Sequence, residues 1–210
     1  MQELATLASI VAALSVGVIS PGPSFVMVAR VAVASSRIRA LATALGMGAG
    51  GAIFGAVALL GLQSVLLAVP ALYAGLKILG GLYLCYLGFL IFRSAQQPLV
   101  AVADGGKGSS RPLGAFWLGL TTQLSNPKAA IVYASVFAAF LPETFSLGFA
   151  AALLAAVFLV ESAWYVLVAL LFSSSGPQRA YLSYKSWVDR AAGAVMFGLG
   201  LKLVTSAAKP

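Results

Sequence analysis

Apolar residues run almost without interruption along this chain, and the polar and charged positions collect between the runs instead of alternating with them. Taking about twenty apolar residues per bilayer crossing, the runs predict helices at about 4–29, 41–69, 71–92, 113–141, 146–172 and 188–206. Pro70 and Pro142 punctuate two tight turns. The longest polar stretch, Arg93 to Pro112, holds Gln96, Gln97, Pro98, Asp104, Gly105, Gly106 and Ser109, which is linker chemistry. The expectation is an all-α integral membrane protein of six transmembrane helices in one domain, 1–210: three helices in 1–92, a cytoplasmic linker at 93–112 and three more in 113–210. Met1-Gln2-Glu3 has no basic n-region and the first run continues past Pro23, so it is expected to stay as a helix and not to be removed as a signal peptide.

Two motifs break this pattern at comparable places in the two halves. Pro21-Gly22-Pro23 interrupts helix one, and Asn126-Pro127-Lys128 interrupts helix four. A proline inside a helix removes a backbone hydrogen bond and clashes with the preceding turn, at about 3 kcal/mol. In lipid the freed groups need protein or a wet cavity around them, so paired interruptions point to a transporter and locate its substrate site.

Three helices per half would turn one half upside down relative to the other, an inverted repeat with helices one and four broken. Gly81 and Gly88 in helix three share their spacing with Gly193 and Gly200 in helix six, and Pro21 precedes Gly81 by about as far as Pro127 precedes Gly193. In helix two, Gly46, Gly50, Gly51 and Gly55 give two Gly-x-x-x-Gly spacings. These suit close packing inside one protomer and also permit a homodimer.

Composition agrees with the pattern and removes several alternatives. Hydrophobic residues make up 61% and charged ones 9%, with a mean hydropathy of +1.00, against about 25% charged in a soluble domain. The net charge of +8 does not point to nucleic acid, because the thirteen basic residues are scattered at the ends of apolar runs. Arg30, Arg37 and Arg39, then Arg93, Lys107 and Arg111, then Arg179, Lys185 and Arg190 fall on one side of the predicted topology. Positive loops face the cytoplasm, which places both termini outside. Lys77, Lys202 and Lys209 run against this. With no histidine, Cys85 as the single cysteine and five acids spread along the chain, no disulfide, haem site, zinc site or other cofactor is expected.

Ser20-Pro21-Gly22-Pro23-Ser24 would leave carbonyls unpaired and expose the amides of the next segment, a site for a carboxylate; a simple kink is the plainer reading. Lys128 lies far from both interfaces, where a lysine costs about 2.5 to 3.5 kcal/mol on insertion scales unless it snorkels or is paired. It is expected to face a substrate carboxylate, or else carbonyls freed by Pro127. Glu161 is the one acid placed well inside a predicted span; burial disfavours its charge, so it is the natural proton carrier, with a structural hydrogen-bonding acid as the alternative. Rise along the helices places Lys128 and Glu161 roughly 15 Å apart unless the break shortens the path, and direct pairing stays open. Gln123, Ser125, Asn126 and Tyr133 add neutral polar groups for an amino or hydroxyl group, or for bonds between helices. Trp117, Trp164 and Trp187 read as packing or interface anchors.

Ser20 to Pro23, Gly80 to Gly88, Asn126 to Lys128 and the glycine-rich Gly193 to Lys202 together resemble the lysine-exporter superfamily of six-helix amino-acid exporters, the LysE/RhtB family, nearly end to end. Gly80 to Gly88, Leu124 to Ala130 and Val160 to Trp164 look most like its threonine and homoserine exporter branch. Many members carry an acid directly after Pro-Gly-Pro where this chain has Ser24, so a carboxylate role there does not carry over. The resemblance implies efflux of a small neutral amino acid across a bacterial inner membrane, driven by proton entry. A passive channel or a structural membrane subunit remains the alternative, and an intramembrane enzyme is disfavoured by the lack of histidine and of a buried pair of acids.

Overall fold

The computed structural model describes residues 2–20, 22–68, 70–96, 111–142 and 144–207. Pro21, Lys209 and most of the predicted linker, Lys107 included, lie outside the described residues. Among the described residues eight helices follow in order: α1 (Gln2–Ile19), α2 (Pro23–Ala34), α3 (Arg37–Ala68), α4 (Pro70–Ser94), α5 (Pro112–Leu124), α6 (Pro127–Phe140), α7 (Leu147–Phe172) and α8 (Ser175–Ala207). Among the described residues there is no strand.

The apolar stretches Arg37–Gly61 of α3 and Leu147–Phe172 of α7 are each long and apolar enough to cross a bilayer. Helices α1 and α2 meet the same test together but bend by 57° between Ile19 and Pro23. A second break separates α5 from α6 at Ser125 and Asn126. Proline opens both segments after the breaks, as it opens α5: at a first helical position its missing N–H costs nothing and its φ is already helical.

Polar groups lie inside beside an apolar core, and much of the outer surface is apolar as well. Ser20, Ser24, Thr43, Gln123, Asn126, Ser135, Glu161, Ser162, Lys185 and Asp189 are buried, while Val57, Leu60, Leu79, Leu159 and Leu167 face outward. Trp117 and Trp187 are exposed, whereas Trp164 packs toward Phe25 with ring centroids 6.5 Å apart.

Glycines set how closely the helices approach. A Cβ on Gly81 would stand 2.8 Å from the Gly200 carbonyl oxygen, and one on Gly88 2.6 Å from that of Gly193, so α4 and α8 cross antiparallel with backbones in contact. The α3 glycines are used within the chain. Gly46 lies against the Phe116–Leu120 backbone of α5, Gly50 against Gln123, Gly51 against Glu161 and Gly55 against Leu154. Glu3 ties the starts of α1 and α7 together, its carboxylate accepting from Ser146 N at 2.9 Å and from Ser146 Oγ at 3.1 Å, while Ser146 Oγ caps α7 by accepting from Phe149 N at 3.0 Å.

The last helix departs from the sequence expectation. It begins at Ser175, well before 188, so Arg179 and Lys185 sit on α8 and not in a basic loop. Lys185 Nζ donates to Asp189 Oδ2 at 2.6 Å, one turn on, and both residues are buried. Charges at this spacing neutralise each other on one helix face, so their presence does not end the helix. Asp189 is consequently a second buried acid beside Glu161, a correction to the reading that Glu161 stands alone.

Candidate transport site

The two breaks open onto one narrow cavity of about 30 Å³. Ser20, Gly22 and Ser24 reach it from the first break, Gln123, Asn126 and Lys128 from the second, and Tyr133 and Glu161 from the facing walls.

At the second break, Asn126 ends one helix and starts the next. Its Oδ1 accepts from Lys128 N at 3.0 Å and Ala129 N at 3.5 Å, satisfying two amides that open α6. Its Nδ2 donates to Ser24 Oγ at 2.8 Å, reaching across to α2. The first break has no such cap. Gly22 occupies the N-cap position of α2 in an extended conformation and brings no side chain. Instead, Lys128 crosses from α6 and donates its Nζ to the Ser20 carbonyl at 2.7 Å. Gly22 leaves room for that crossing, since a Cβ there would stand 3.2 Å from Lys128 Cδ and 3.3 Å from its Nζ.

Glu161 is 2% exposed and accepts from two side chains: Gln123 Nε2 at 2.8 Å to Oε2 and 3.1 Å to Oε1, and Tyr133 Oη at 2.8 Å to Oε1. Ser24 Oγ donates to Gln123 Oε1 at 2.5 Å. A continuous chain of hydrogen bonds therefore joins Asn126 at the second break to Ser24 on α2, Gln123 on α5 and Glu161 on α7. Gly51 makes room for the carboxylate, because a Cβ there would come within 2.5 Å of Glu161 Cδ.

Of the residues expected from sequence, Gly22, Ser24, Gln123, Asn126, Lys128, Tyr133 and Glu161 line this cavity. Pro23 and Pro127 are exposed and serve as helix starts, and Ser125 is exposed at the end of α5; none of the three is among its lining residues. Among the described residues no ion pair joins Lys128 to Glu161, although both border the same space. Sequence reading missed Tyr165, which lines the cavity beside Ser24, and Asp189, whose charge reaches Lys128. For Asp189 the signal was present in the one-turn spacing from Lys185. Nothing in the sequence alone singles out Tyr165.

The family described as LysE type translocator matches residues 15–207. The chain belongs to the LysE type translocators. Among this family's relatives, the threonine efflux protein of Salmonella typhi is 34% identical over 91% of this chain and 93% of its own. The threonine efflux protein of Escherichia coli K12 has the same identity and coverage, and an uncharacterized membrane protein of Haemophilus influenzae is 32% identical over 90% of each chain. No solved structure matches.

Proposed function

We propose that the chain exports a small neutral amino acid of the threonine or homoserine kind from the cytoplasm, by proton antiport with alternating access. The observation that carries this reading is a single cavity, at two helix breaks, bordered by one lysine and one buried carboxylate. A zwitterion has one charge for each. Relatives bearing the name threonine efflux protein support the substrate class. Lys128 takes the substrate carboxylate, Glu161 carries the proton, and Gly22, Ser24, Gln123, Asn126 and Tyr133 shape the remaining contacts, with Pro21, Pro23, Ser125 and Pro127 setting the breaks.

The transporter has six spans in two inverted halves, the pairs α1–α2 and α5–α6 each forming one broken span. The reciprocal contacts Gly81 with Gly200 and Gly88 with Gly193 support this, since residues with matching roles in the two halves exchange partners as a two-fold axis requires. It lies in a bacterial inner membrane with its basic loops inside and its termini outside. The Glu3–Ser146 bond supports the shared side of the α1 and α7 starts.

Alternating access follows if protonation of Glu161 from outside favours the inward-facing state and substrate binding favours the reverse swing. In proteoliposomes a proton gradient is expected to drive threonine accumulation, and Glu161→Gln to abolish the gradient dependence. Full gradient-driven transport by that variant removes Glu161 from coupling. Equilibration without accumulation by the unaltered protein would make the cavity a channel.

A further inference from the structure

The hydrogen bonds around the cavity have a direction that can be read from the backbone. The two amides at the start of α6 are donors only, so the Asn126 atom facing them is its oxygen, and its NH₂ faces Ser24. Ser24 Oγ accepts from Asn126 and donates to Gln123 Oε1, and Tyr165 bonds to the same hydroxyl. Gln123 accepts with its oxygen, and its NH₂ faces Glu161. Tyr133 adds a third donor contact. Glu161, three bonds from the α6 cap, accepts from these donors.

Such a carboxylate has about four lone-pair positions, more than its two donors, Gln123 Nε2 and Tyr133 Oη, fill. The free capacity suits a donor-only group. At the other end of the cavity, Lys128 Nζ spends one of its three protons on the Ser20 carbonyl, and Ser20 Oγ is buried with no partner of its own. These two supply donors for an anionic group.

Resting on the reading of this cavity as the substrate site, we infer that Glu161 receives the α-ammonium group of the substrate, with its carboxylate on Lys128 and Ser20, and that a proton competes with the ammonium for Glu161. A proton on Glu161 places an O–H where the ammonium would stand and takes a lone pair from donors that the α6 cap holds in place. One carboxylate then serves substrate and proton by turns, which is the exclusion that antiport needs. The other ionisable groups nearby are Tyr133 on α6, Tyr165 on α7 itself and Lys128 across the cavity. On α8, Lys185 pairs with Asp189, whose charge reaches Lys128; α1, α2, α3 and α5 bring only apolar or neutral polar residues to the cavity and to Glu161.

The test is calorimetric titration of the purified protein in lipid nanodiscs with L-threonine, with threoninol, which lacks the carboxylate, and with 3-hydroxybutanoate, which lacks the amine. Threonine affinity is expected to fall on acidification, by up to about tenfold per pH unit, with protons released on binding. Threoninol is expected to keep this pH dependence and 3-hydroxybutanoate to lose it. Ser24→Ala, which cuts the chain, is expected to shift the midpoint of the pH profile. Threonine affinity independent of pH with no proton release, or wild-type threonine affinity in Glu161→Gln, overturns the inference and leaves the exporter reading standing if transport persists. Neither binding nor transport of threonine overturns both.

Discussion

The two helix breaks look alike in sequence and are built differently. At Asn126 the break carries its own cap, and one side chain satisfies two amides of α6 while bonding to the opposite half. At Gly22 there is no side chain to cap α2, and a carbonyl of the chain entering the break depends on Lys128 from the other half. The second break is self-sufficient and the first is not. A rigid break facing a dependent one places the adaptable contacts on the first side, where a ligand carboxylate can accept from the protons that Lys128 has left.

This asymmetry can be broken one residue at a time. Asn126→Ala should have the largest effect, about 3 kcal/mol of stability, from the lost cap and the buried partners left unmatched. Thermal unfolding in nanodiscs measures it, and Asn126→Asp, which can cap but cannot donate to Ser24, should recover part of the stability without recovering transport. Lys128→Met should cost about 1–2 kcal/mol, because the orphaned Ser20 carbonyl is partly offset by relief of a lysine in an apolar setting. Its transport should fall to background, so a Lys128→Met protein with wild-type uptake would show the first break to be independent after all. Gly22→Ala should be milder, about 1 kcal/mol or less, since the lysine stem it presses on is flexible and can shift; a raised KM at nearly constant kcat is the expected kinetic signature. Ser20→Ala should leave stability within about 0.5 kcal/mol, as its hydroxyl has no partner to lose. A selective loss of threonine affinity in that variant would separate a ligand contact from a structural one.

The breaks themselves were readable because proline and glycine constrain the backbone wherever they occur, and so were the half-buried Lys128 and the buried acid at Glu161. The spans expected at 4–29 and 113–141 hold the two breaks, and the one at 146–172 matches α7 within a residue. The start of α8 was misplaced because charge was taken as a boundary, whereas Lys185 and Asp189 cancel across one turn. Matching glycines in helices three and six were visible as a spacing, but that they touch each other depends on how α4 and α8 cross. The separation of Lys128 from Glu161, counted along straight helices, could not register that both side chains turn into a common cavity.

Hydropathy and backbone chemistry, which act over a few neighbouring residues, were enough to specify a membrane-embedded helical chain and where its helices stop. Which donors face Glu161, why Lys128 reaches the Ser20 carbonyl and how Asn126 comes to govern a carboxylate on another helix were settled by packing. Those contacts join residues up to 108 positions apart, and no local rule relates such positions until glycine-lined helices bring them together.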